Sequence, residues 1–396
     1  MSQKSFYIRS NQSEEAKVSA RVSLLKELRG EILQKTQVFP FDIQSVGSKN
    51  CENLVGTVAL PVGVVGPFNL PLADGPDITK IAKVIVPIAT TEGALIASLS
   101  RGVRALSLSK EFNVQVEKVG MSRAPVFECA TPKSAQKFAN WVTEHSSLFE
   151  EASLATSSHL HFISQKTWVE GNLVFVRCVF DTGEAMGMNM VSIALSHWWN
   201  TLVPRKMKQD VSLRALSSNL CTDKKPSRIN RELGRGYRVR AEALLPPTVL
   251  ENVLKVAAGD LVATHVAKNV VGSQLAGIPA GNMHVANAVA GIFVATGQDI
   301  AHVVDVASSA EVFFEAVGGG VQVRLEIASL PVGTVGGGTL LPGQRQWQQI
   351  ITGEKLTAHV LAATVAAVAL GGEISGLAAL CTNTLAAAHK RLGRSQ

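Results

Sequence analysis

The stretch from Val360 to Leu370 constrains the fold more than any other. It holds only alanine, valine and leucine with a single Thr364, and it carries no charge. Crossing a bilayer takes roughly 20 apolar residues, so this run is too short to span one. It reads as a helix buried inside a protein core. Such a helix needs a large chain around it, and 396 residues suffice for two or three structural units. Hydrophobic residues make up 46% and charged residues 17%, an ordinary globular balance that leaves little room for disorder beyond the ends. Met1 to Lys17 is polar and lacks the apolar core of a secretory signal.

Cysteine use points to a reducing compartment. Cys51, Cys129, Cys178, Cys221 and Cys381 are odd in number and widely spaced, with no C-x-x-C pair and no histidine cluster beside them. That argues against a disulfide framework and against a zinc site, so no metal is expected. The formal net charge is +7, which suits nucleic acid, anionic lipid or polyphosphorylated small molecules. Aromatic residues are only 5%, poor material for stacking bases. Phosphate-bearing ligands account for the charge, and neither a nucleic-acid nor a membrane partner is expected.

Along the chain, Glu14 to Gln34 carries Val18, Val22, Leu24, Leu25, Leu28 and Ile32 at helical spacing, predicting an amphipathic leader helix. Glu52 to Pro67 alternates valine and leucine with turn residues, hence strand and loop. Thr91 to Leu108 reads as a helix. Between Val114 and Leu216, short β-rich runs (Val114 to Val119, Leu173 to Phe180) alternate with helical stretches around Ala135 to His145 and Met188 to Leu202. That alternation predicts a compact α/β unit inserted in a larger one. Helices are then expected at Val249 to Val271, Val285 to Ala295, Ala358 to Leu370 and Leu377 to Leu392, punctuated by glycines at 318–320 and 333–338.

No G-x-G-x-x-G follows a strand, and no G-x-x-x-x-G-K-[ST] or H-E-x-x-H occurs, so a dinucleotide would need an unusual site. Four segments stand out. Glu92 lies at a loop-to-helix junction among apolar residues. It is an ordinary helix-start acid, or a desolvated proton donor. Asp223-Lys224-Lys225-Pro226 stiffens a basic run containing Arg228, Arg231, Arg235, Arg238 and Arg240. The run is a solvated face, or a platform aiming a cation at an oxyanion. Asp299 follows an apolar helix, where the dipole disfavours a carboxylate, so a cationic neighbour or a shared proton should hold it. His389 sits in a last helical turn before Gly393, an ordinary C-terminal signature. Each alone has an everyday explanation.

Together they do not. Glu52 to Pro67 resembles the signature segment of the 3-hydroxy-3-methylglutaryl-coenzyme A (HMG-CoA) reductase family. Thr90 to Gly93, Glu184 to Met190, Asp223 to Pro226, Gly297 to Asp299 and Gly333 to Thr339 follow in that family's order and spacing. The likeness runs from about Cys51 to Ser395, and the Asp-Lys-Lys-Pro and Gly-Met-Asn-Met forms resemble the eukaryotic and archaeal class I. It implies an α/β (α+β) protein. Residues 1–50 would form a helical N-terminal segment, 51–124 with 216–396 a large substrate-binding domain, and 125–215 an inserted ferredoxin-like domain for the dinucleotide. It implies catalytic roles for Glu92, Lys224, Asp299 and His389, with Asp299 close to both Lys224 and Glu92. Arg123, Ser217, Asp223, Lys225, Lys268, His284 and Asn287 would hold substrate. Met188, Asn189, Met190, Ser192, Gly336, Gly337 and Arg394 would hold cofactor. The reaction implied is reduction of HMG-CoA to mevalonate and free CoA with two NADPH. The protein would be a soluble, cytoplasmic homodimer or homotetramer with the site between subunits.

The sequence departs from the family pattern in three places. Glu184 stands where an aspartate is usual. Ser158 replaces the arginine that grips the ribose 2′-phosphate, which admits NADH, whereas Arg394 matches a second phosphate contact and favours NADPH. Ser395 falls where animal relatives carry a regulatory phosphorylation site, one residue before the sequence ends. Two other readings stay open. One is NAD-dependent oxidation of mevalonate, which a nucleotide-preference assay separates. The other is a catalytically silent sensor of CoA thioesters, which turnover would exclude.

Overall fold

The computed structural model describes residues 12–29, 39–74 and 77–382. His389, Arg394 and Ser395, and the expected helix beyond residue 382, lie outside that range. The helix Ala358–Cys381 forms the axis of the largest core, and nearly all of it is buried. It is apolar all round, as a helix enclosed on every side must be. By length and composition it could cross a bilayer, but every residue of the apolar window is packed inside the protein.

The β-strands are β1 (Val62–Asp74), β2 (Asp77–Ala89), β3 (Lys110–Arg123), β4 (Val126–Cys129), β5 (His161–Glu170), β6 (Leu173–Asp181), β7 (Val211–Ala215), β8 (Arg235–Leu245), β9 (Ala310–Val317) and β10 (Gly320–Leu330). They join in one sheet of order β7-β4-β6-β3-β8-β10-β9, with β1 on β2 and β3, and β5 on β6. Every pairing is antiparallel except the short β1–β3 contact at Leu72 and Val114. A doubly wound dinucleotide fold needs a parallel sheet, so the missing glycine fingerprint and the topology agree.

Strand β3 links two packed regions. Most of it pairs with β8 beside the buried helix, while Met121–Arg123 pairs with β6. Around β6 a second core gathers Phe127, Phe138, Phe149, Phe180 and Trp198. Phe127 and Phe138 meet edge to face at 5.0 Å between centroids, a favoured aromatic geometry. A third, small core joins the leader helix Glu14–Arg29 to Val46 and Leu54 through Val18 and Val22.

Two helices differ from the sequence reading. The expected helix Val249 to Val271 is broken: Lys255 adopts φ 58° and Ala257 is extended before helix resumes at Ala258. The two helices expected at 358–370 and from 377 are one, running through Gly371 and Gly372. Those glycines serve contact rather than termination. The helix Leu95–Ser107 crosses so closely that a Cβ on Gly102 would lie 1.7 Å from the Gly371 carbonyl oxygen.

Candidate active site

The loop after β7 carries Asp223, Lys224 and Lys225, and it is tied down from below. Thr222 and Lys224 adopt left-handed φ of 54° and 58°, unusual for side chains of this size. Buried Asn230 clamps Thr222, accepting from its hydroxyl and donating Nδ2 to its carbonyl at 3.1 Å. The Lys225 N–H donates to Asp305 Oδ1 at 2.9 Å. With the backbone fixed, Lys224 Nζ reaches Asp299 Oδ2 at 2.7 Å.

Asp299 is better placed than its position after a helix suggested. The helix Val285–Thr296 ends at Gly297 with φ 72°, and Asp299 then caps a new turn, accepting from the Ala301 N–H at 3.1 Å. The expected cation is Lys224. Partial burial pushes the Asp299 carboxyl up, but the Lys224 hydrogen bond and the charges of His302 and Lys224 outweigh it and hold it below the ordinary 3.8.

Behind this pair lies a charged network that the sequence reading missed. Arg235, His302 and Asp305 are fully buried. Arg235 donates to Asp305 Oδ2 at 2.9 Å and to Asp223 Oδ1 at 2.8 Å. Asp223 Oδ2 lies 3.8 Å from Arg123, whose Nε donates to Ser192 Oγ at 3.1 Å. The structure thus brings Arg123, Ser192, Asp223, Lys224, Lys225 and Asp299 together, with Met188 Sδ 2.8 Å from Arg235. Ser217 is exposed on the same loop and contacts Cys221 Sγ at 2.9 Å. Asp223, His302 and Asp305 have metal-ligand spacing, but the Arg235 guanidinium already bridges the two carboxylates as a cation would. The i, i+3 spacing of His302 and Asp305 just after Asp299 was the available signal.

A second group of expected residues gathers at the middle of the buried helix. Glu373, fully buried, accepts from the N–H groups of Met283 and His284, each at 2.7 Å, and His284 Nε2 meets the Gly372 carbonyl at 2.8 Å. Burial pushes the Glu373 carboxyl up, and His284, those two N–H donors and Lys268 partly offset this. Asn287 is half-buried one turn beyond, and Lys268 is exposed. Glu92 is also exposed, its N–H donating to Thr90 Oγ1 at 3.0 Å. Among the described residues no hydrogen bond or ion pair joins Glu92 to Lys224 or Asp299.

The expected cofactor residues surround a third feature. The helix Met188–His197 starts at Gly187 with φ 82° and has no side-chain cap. A Cβ on Gly187 would strike Thr182 Cγ2 at 2.3 Å. A bridge between Ala185 and Val335 brings the Gly336–Gly337 turn alongside. Both glycines have positive φ and open space where a Cβ would be. Glu184 Oε2 accepts from Thr334 Oγ1 at 3.0 Å and from Ala358 N at 2.6 Å, which fastens the turn to the buried helix. Asn189 and Ser158 are exposed, and Met190 Sδ lies 3.6 Å from Ser157 Oγ.

Comparison with known proteins agrees in full length and fold. The family model for hydroxymethylglutaryl-coenzyme A reductase matches residues 17–394. A relative from Aeropyrum pernix named 3-hydroxy-3-methylglutaryl-coenzyme A reductase is 38% identical, over 93% of this chain and 88% of its own. One of the same name from Halobacterium salinarum is 39% identical over 90% and 87%. The solved class II reductase of Streptococcus pneumoniae, bound to NADPH, superposes with a TM-score of 0.65 at 21% identity, over 91% of this chain and 86% of that one, a likeness of fold. A match across nearly the whole chain, at this identity and with these motifs on one fold, places the protein in the hydroxymethylglutaryl-coenzyme A reductase family.

Proposed function

We propose that this chain reduces HMG-CoA to mevalonate and free CoA with two equivalents of NADPH. The observation that carries the reading is the Lys224–Asp299 pair, a fixed cation at the open face of a loop braced by Asp223, Arg235 and Asp305. Reducing a thioester carbonyl builds negative charge on oxygen, and a preorganised ammonium stabilises it. Asp299 holds the Lys224 ammonium in place. The hemithioacetal that results must expel CoA as a thiolate, and His389 is proposed as the acid that protonates the sulfur. Glu92 would supply the proton for the aldehyde in the second reduction.

NADPH supplies the hydrides when bound. The N-terminus of the Met188–His197 helix, which has no side-chain cap, and the Gly336–Gly337 turn, with open space beside both glycines, fit a phosphate-bearing ligand, since helix-start N–H groups and close backbone approach favour an anion. Residues 125–215 are proposed as the dinucleotide-binding domain, with Met188, Asn189, Met190, Ser192, Gly336, Gly337 and Arg394 as contacts. Arg123, Ser217, Asp223, Lys225, Lys268, His284 and Asn287 are assigned to substrate. A homodimer, or a tetramer built from dimers, is proposed, with Glu92, His284 and Lys268 of one subunit facing Lys224 of another; in support, no hydrogen bond or ion pair among the described residues joins Glu92 to Lys224 within one chain. The five cysteines are unpaired, consistent with a cytoplasmic setting.

Purified protein with HMG-CoA, assayed by absorbance of NADPH and separately of NADH, tests this reading. Oxidation of NADPH with release of CoA thiol is the expected result. Oxidation of NADH alone would keep the chemistry and make Ser158 decisive for the donor. Oxidation of neither would overturn the proposal.

A further inference from the structure

The ring of His302 has no role in the reaction outlined above, yet it occupies the centre of the network under Lys224. Its Nδ1 lies 2.7 Å from Asp305 Oδ2, both groups fully buried. Asp305 also accepts from Arg235 and from the Lys225 N–H. It is an acceptor on every side, so the short Nδ1 contact places a proton on Nδ1, while Arg235 Nη1, 3.3 Å from the same nitrogen, makes its closer contact with Asp305 Oδ2 at 2.9 Å. The tautomer is thereby set. Nε2 is buried without a hydrogen-bond partner among the described residues. It points between two carboxylates, 3.8 Å from Asp223 Oδ1 and 3.8 Å from Asp299 Oδ2. A bare nitrogen lone pair facing two carboxylate oxygens in a buried site is unfavourable. A proton on Nε2 turns the same geometry into attraction toward both.

We propose that His302 is a positioning residue that carries a second proton on Nε2 and uses it to hold Asp223 and Asp299 together beneath Lys224. Asp305 orients the ring, the ring steadies Asp299, and Asp299 keeps the Lys224 ammonium aimed at the substrate oxygen. The inference rests on the proposed role of the Lys224–Asp299 pair.

The charged groups facing the ring are Asp223, and Lys224 through Asp299, from the loop, Arg235 from β8, and Asp299 and Asp305 from its own segment. Among the described residues, the other elements against this turn carry no charge or have theirs paired elsewhere. The helix Val285–Thr296 has no ionisable side chain. On the helix Arg228–Leu233, Arg228 pairs with Glu232, and Arg231 with Glu311 of β9. On β10, Arg324 pairs with Glu326. Loss of the Nε2 arm should therefore be felt first at Asp299 and Asp223.

The test uses full-length enzyme with HMG-CoA and NADPH. His302→Asn keeps an amide near the Nδ1 position for Asp305 and deletes the Nε2 arm. His302→Gln reaches the Nε2 position with a neutral donor. His302→Asn should lower kcat about tenfold to a hundredfold while KM for HMG-CoA stays within about threefold. His302→Gln should recover part of that loss. A kcat for His302→Asn within about threefold of wild type, or no recovery in His302→Gln, overturns the proposal. If His302→Asn does not fold, His302→Gln decides alone: a lowered kcat with KM within about threefold supports the proposal, and a raised KM with kcat unchanged overturns it. Lys224→Ala, run alongside, separates the two readings. An inactive Lys224→Ala with a normal His302→Asn leaves the site reading intact and sinks this one, whereas an active Lys224→Ala sinks both.

Discussion

At the residue scale, function concentrates in one ammonium and what surrounds it. Lys224→Ala should lower turnover about a hundredfold, with melting temperature and CoA-ester binding largely unchanged because the side chain is exposed. Retention of more than about a tenth of wild-type turnover would contradict the oxyanion role. The same pair links to acid stability. Asp299 is held below its ordinary 3.8, so its contribution is complete above that pH and is lost as pH falls through the lower folded value. Acid titration monitored by unfolding should show a shallower loss in Lys224→Ala, and identical curves would argue against the pairing. Glu373→Gln offers one acceptor where two N–H groups donate, costing roughly 1–3 kcal/mol and shifting His284. A raised KM for HMG-CoA is expected, and an unchanged one would detach Glu373 from the substrate. Lys224 and Asp299 were legible in the sequence because each sits in a motif. Arg235 was visible only as one of a basic run. His302 and Asp305 were not singled out, since burial and the direction of a ring nitrogen depend on how distant segments pack.

At the scale of elements, the periodic apolar segments announced themselves and their ends did not. The run Val360 to Leu370 read correctly as buried helix. The helix expected to end at Leu370 continues through Gly371 and Gly372, whose missing side chains let Leu95–Ser107 approach. The reverse happened at Lys255, where good helix formers gave way to a left-handed residue. Tertiary contact decided both cases, and local propensity carries no record of it. Gly102→Ala would drive a methyl group into the Gly371 backbone, which cannot rotate away. Destabilisation of about 3 kcal/mol or more is expected, read by denaturant unfolding. A loss under about 1 kcal/mol would mean the crossing helices can separate.

For the whole molecule, the mixture of apolar helices and short β-rich runs and the family resemblance pointed to the same fold class, and the resemblance also gave the expectation of a site between subunits. A mixing experiment tests that proposed arrangement of Glu92 and Lys224. Glu92→Gln and Lys224→Ala proteins, each inactive, should regain activity when their subunits exchange. Random dimers with one intact site out of two would give about a quarter of wild-type activity. No recovery after confirmed exchange would place both residues in a site built by a single subunit. The Glu184 contact carries a mechanical consequence. Its carboxylate holds the first N–H of a helix that is rigid, enclosed and about 36 Å long. The turn beside the proposed nicotinamide site is thus bolted to one end of a pushrod, and the other end is where the chain departs toward His389. Moving the turn would therefore mean either breaking the Glu184 hold on the helix start or carrying the enclosed helix with it.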